Sequence, residues 1–105
     1  MVQDAIKALC GVSETLTERL DEDQLAAVES HINALVRPLT PDDIRALMQL
    51  LPRDGDTAFG LNWSLLHAIE AAPDWPMWDL LDDQTHEWVQ TFRIRLANGG
   101  FYPPG

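Results

Sequence analysis

The chain has 105 residues, 17 Asp+Glu against 7 Lys+Arg, and a formal net charge of -10 at pH 7 on a 46% hydrophobic background. That length suits one domain, and the apolar fraction with four Trp argues against intrinsic disorder. The acidic balance argues against direct DNA or RNA binding, since phosphates would be repelled, and it suits a basic protein partner.

No apolar run approaches the roughly 18 residues of a membrane span, and the start lacks a basic-then-apolar signal pattern. A cytoplasmic location is expected. The lone Cys10 excludes an internal disulfide and reads as a packing cysteine, because nothing assigns it an activating base.

Leu and Ala dominate, β-branched residues are sparse, and no alternating strand of six residues occurs. The expected fold is all-α: about five helices in a compact antiparallel bundle or a short stack of helical hairpins. One helical domain would span residues 1–105, with a non-helical tail at 99–105.

Residues 3–9 form a first short helix with Ile6 and Leu9 inward, ended by Gly11. A turn or short helix follows at 14–20, where Leu16 and Leu20 share a face. Asp21 caps the next helix, and Glu22 and Asp23 meet its N-terminal dipole. Leu25, Val28, Ile32, Leu35 and Val36 make its stripe before Pro38 stops it. Thr40 caps the third helix, with Pro41 first in the helix and Asp43 near the capping-box position. Ile44, Leu47, Met48 and Leu51 face inward, and Pro52 ends it.

Arg53-Asp54-Gly55-Asp56 reads as a loop, because the further ligands of a calcium loop are missing. The fourth helix runs from Asn62, as cap, to Ala72. Asp74 caps a short helical turn at 76–81. The last helix starts near Asp83, carries Trp88, Val89, Phe92 and Leu96, and stops at Asn98-Gly99-Gly100. Phe101 and Tyr102 are expected to tuck against the core. Ile32, Leu35, Ile44, Leu47, Leu66, Ile69, Val89 and Phe92 are the expected core.

The charge is uneven. Asp54, Asp56, Glu70, Asp74, Asp79, Asp82, Asp83 and Glu87 lie in residues 54–92, a stretch without Lys or Arg that also holds Trp63, Trp75, Trp78 and Trp88. Trp63 and Trp88 fall on core stripes and are expected to be buried. Trp75 and Trp78 flank Pro76 between acids, which leaves open whether either is a surface anchor. Aromatic anchors with steering carboxylates suit a basic protein partner. The candidate partner-binding residues are Asp74, Trp75, Trp78, Asp79, Asp82, Asp83 and Glu87.

Catalytic chemistry has little support. His67 and Glu70 are three apart, and Asp82, Asp83 and His86 could add ligands, but no Glu-x-x-His pair or His-Glu-x-x-His occurs. His67 is expected to be buried or half-buried against a carboxylate or carbonyl. No nucleophile elbow, phosphate loop or dinucleotide fingerprint is present. No catalytic residue, metal or cofactor is assigned.

The stretch Leu61-Asn62-Trp63-Ser64-Leu65-Leu66-His67-Ala68-Ile69-Glu70-Ala71-Ala72-Pro73-Asp74-Trp75-Pro76 looks like a segment of small bacterial proteins. With its size, acidity and helicity, the chain resembles immunity proteins that neutralise bacterial toxins. Six Arg against one Lys suit a GC-rich bacterial source. The resemblance implies a non-catalytic protein that docks on a basic toxin site, and it carries over no functional residues. The alternatives are a self-associating structural or regulatory domain, dimerising through its Trp-rich segment, and a small metal-dependent enzyme.

Overall fold

The computed structural model describes residues 1–103, and Pro104 and Gly105 of the expected tail lie outside the described residues. Five helices and no strand occur among them: α1 (Asp4–Val12), α2 (Glu22–Asn33), α3 (Pro41–Leu50), α4 (Leu61–Glu70) and α5 (Glu87–Asn98), with a 3-10 turn at Trp78–Leu80. The all-α expectation holds. The radius of gyration, 13.3 Å, is that of a compact chain of this length.

The α1 helix lies against α2 and α3, and α4 lies against the same two. Ile6, Leu9, Val28, Ile44, Leu47, Leu65, Leu66 and Ile69 meet in the buried interior. The α5 helix joins through large side chains. Trp88 stands edge-on to Trp63, ring centroids 5.1 Å apart, and Phe92 meets Trp75 at 4.8 Å. Burying these side chains supplies the main driving force for the packing.

The α3 start follows its sequence signals. Thr40 accepts from the Asp43 N–H, and Asp43 accepts from the Thr40 N–H. Asp21 and Gln24 cap α2 in the same reciprocal way. Asp43 is buried and also accepts from the backbone and side-chain amides of Gln3. Burial pushes its carboxyl up, but the Gln3 and Thr40 hydrogen bonds outweigh that and hold it below the usual carboxylate range.

Several expected boundaries move. Gly11 lies inside α1 and does not end it. Of the turn or short helix expected at 14–20, the turn is what forms, and the Leu16 N–H donates to the Leu50 carbonyl. The α2 helix ends at Asn33, because the Gln3 side chain clamps Val36 beyond it, donating to its carbonyl and accepting from its N–H. Val36 is therefore exposed, and Ile32 and Leu35 are half-buried at the edge of the core.

Asn62 does not cap α4. The N-cap is Gly60, and Asn62 is buried within the helix, donating to the Leu16 and Asp56 carbonyls. Asp56 organises this junction. Its carboxylate accepts from the Glu18 and Ala58 N–H groups, and its carbonyl also accepts from the Trp88 indole. The Asp54-to-Asp56 loop is thus a structural turn. Asp74 caps no helix, since the 3-10 turn begins after Met77 without a side-chain cap. The α5 helix begins at Glu87 after His86, later than the expected Asp83, because Asp83 instead accepts from the Thr85 N–H in a local turn.

Trp88 is buried as expected, whereas Trp63 lies at the rim, 39% exposed. Cys10 is exposed and does not pack. Phe101 and Tyr102 do not tuck in. Gly100, at φ +85°, turns the chain out of α5, and the Phe101 N–H closes that turn on the Leu96 carbonyl.

Candidate functional site

The connection between α4 and α5, residues 71–86, carries most of the expected binding residues. It is pinned from inside. Met77 and Leu81 are buried, and Trp75 and Trp78 are half-buried against the core. Arg93 donates to the Leu81 carbonyl at 3.0 Å. The charged side chains among its exposed residues are acidic: Asp74, Asp79, Asp82 and Asp83 are exposed, as is Glu87 at the start of α5. Trp78 lines a groove, whereas Trp75 packs inward on Phe92 with its indole N–H buried and unpaired.

The acidic stretch lacks cations in sequence but not in space. Arg45 of α3 approaches Asp79 to 3.6 Å. Arg53 hydrogen-bonds both Asp83 and Thr85. The Arg53 bond first, and then those that Thr85 donates, hold the Asp83 carboxyl well below the usual carboxylate range. Arg95 grips Glu70 through two bonds of 2.8 Å. Among the described residues, Asp74, Asp82 and Glu87 have no cation within ion-pair distance and no side-chain hydrogen bond. The seven candidates thus divide: two acids are already paired, three are free, and the two Trp are partly packed.

Between this connection and the C-terminal half of α5 lies an open groove of about 390 Å³. Its walls include Trp78, Arg93, Ile94, Phe101 and Tyr102. Ile94, Phe101 and Tyr102 are 61%, 54% and 70% exposed. Singly exposed apolar residues are ordinary, but this grouping around one groove marks a contact surface. Ile94 lies off the Trp88–Phe92–Leu96 stripe, and that offset was the available sequence signal for its exposure.

The His67 ring is 3.8 Å from Glu70 and mostly exposed, not buried. Arg95 occupies both Glu70 oxygens, which leaves that carboxylate unsuited to a metal. The His86 ring bonds the Leu51 carbonyl at 3.0 Å. Among the described residues no three His, Cys, Asp or Glu side chains gather where they could hold an ion.

Comparison with family models, curated proteins and solved structures finds no match. The site's chemistry therefore carries the functional argument alone. Among the described residues no helix is long and apolar enough to cross a membrane.

Proposed function

We propose that the protein is a non-catalytic binding domain of the immunity class, acting in a bacterial cytoplasm, that docks on a basic site of a toxin protein and occludes it. One observation carries this reading. Asp74, Asp82 and Glu87 are exposed and unpaired on or just after the connection that supplies Trp78 and Gln84 to the groove of Arg93, Ile94, Phe101 and Tyr102, although none of the three acids lines it. Free carboxylates steer a cationic partner, and exposed aromatics supply the desolvated contact that slows release.

Paired acids contribute less to such a field. Arg53 and Arg45 already offset Asp83 and Asp79 at short range. The net charge of -10 also sets a second copy of the chain at an electrostatic disadvantage as the occupant. The test is co-expression with the product of the neighbouring gene, followed by size-exclusion chromatography. A 1:1 complex lost on combining Ile94→Ser with Phe101→Ser supports the reading. A self-associated form and no mixed complex contradicts it.

A further inference from the structure

We infer that Phe59 and the groove between it and α2 form a second docking surface, built for a basic amphipathic helix. The first observation is conformational. Ala58, Phe59 and Gly60 have φ of 48°, 55° and 91°, three successive left-handed residues. Side chains with a Cβ disfavour this region, and a bulky aromatic there is an outlier. The turn is locked from within. The buried Ala58 donates to Asp56, and the Thr57 carbonyl accepts from both the Gly60 and the Asn62 N–H.

The second observation is placement. Phe59 is 66% exposed, so the core does not use its ring. The turn does not use it either, since glycine or asparagine suits that geometry better. What remains is contact outside the chain. Beside the ring is a groove of about 330 Å³, with Leu25, Ala26 and Leu61 along it and Glu22 and Glu29 bordering it.

No cation lines this groove, so its charge selects one. Glu22 and Glu29 are seven residues apart on α2. That is two turns, roughly 10 Å along the axis. Lysines seven apart on a partner helix lying along α2 repeat that spacing, and leucines between them meet Phe59, Leu25 and Leu61. The surface shares no residue with the α4–α5 connection, so either can fail without the other.

The experiment titrates the full chain with a synthetic helical peptide carrying Leu on one face and Lys at seven-residue spacing. Amide shifts and affinity are read by NMR. Shifts at 22–29 and 57–61 are expected. Phe59→Ala weakens binding about tenfold, and the Glu22→Gln/Glu29→Gln pair weakens it several-fold with a flatter salt dependence. The pair Asp4→Asn/Glu14→Gln, which removes the same charge elsewhere, leaves affinity unchanged. Phe59→Gly raises the melting temperature, by relieving the left-handed strain, while binding falls. Unchanged affinity in the Phe59 variants overturns the inference. So do shifts confined to 74–87, a lowered melting temperature for Phe59→Gly, or no binding at millimolar peptide.

Discussion

The Arg53 guanidinium hydrogen-bonds the Asp83 carboxylate, joining the last cation before the acidic stretch to an acid in its last third. The same guanidinium reaches the Thr85 hydroxyl, so Arg53 ties the α3–α4 loop to the entry of α5. The Glu87 N–H reinforces this junction by donating to the Arg53 carbonyl at 2.9 Å. A pairing between distant segments therefore sets how much negative field the surface presents.

Removing that pair changes titration in a defined direction. Arg53 first, then Thr85, lowers the Asp83 pKa below its ordinary value of 3.8. A depressed carboxyl contributes stability above its unfolded pKa, and that contribution is lost as pH falls through the folded value. Arg53→Ala is expected to return Asp83 toward 3.8, as read by carboxyl NMR, and to flatten the acid limb of the melting-temperature profile. An Asp83 titration unmoved by Arg53→Ala contradicts the pairing.

Asp43 is expected to be the most costly carboxylate to remove. It accepts from Thr40 and from two amides of Gln3, and it is buried. Asp43→Ala leaves those donors without their acceptor and removes half of the capping box, a loss of about 2–4 kcal/mol in urea unfolding. Its lowered pKa has the same sign as that of Asp83, so its stabilisation fades as pH falls below the carboxylate range. A loss under about 0.5 kcal/mol would contradict this account.

Asn62→Leu tests the loop junction. Its amide satisfies the Leu16 and Asp56 carbonyls, and only the latter keeps another donor, the Trp88 indole. The Leu16 carbonyl is left unpaired, so a loss of about 1–3 kcal/mol is expected in thermal or urea unfolding. Unchanged stability would show that the junction does not depend on this amide.

The groove makes the opposite demand. Ile94→Ser and Phe101→Ser alter exposed side chains, so each is expected to change stability by no more than about 0.5 kcal/mol. Either substitution should nonetheless weaken partner binding. A substantial drop in melting temperature would make these side chains structural and remove them from the docking surface.

Much of the helical plan was legible in short-range signals. Thr40, Pro41 and Asp43 announce α3, and Asp21 announces α2, because a cap and its partner lie within one turn. The buried stripes of α3 and α5 follow from helical spacing alone. Long-range choices were not legible. The clamp of Gln3 on Val36 ends α2 early, and Asn62 leaves its expected cap position to bridge two loops. The candidate site shows the same division. Its exposed acids could be read along the chain, but which of them Arg45, Arg53 and Arg95 neutralise depends on the fold.

Asp74, Asp82 and Glu87 are the acids of this surface that the fold leaves without a cation. The most direct measurement is the association rate of the purified neighbouring-gene product with the wild type and with the triple variant Asp74→Asn/Asp82→Asn/Glu87→Gln, at low and high salt. The account expects a fall of about tenfold at low salt that closes as salt rises, since steering is screened over a Debye length. An association rate unchanged by the triple substitution at low salt would contradict it.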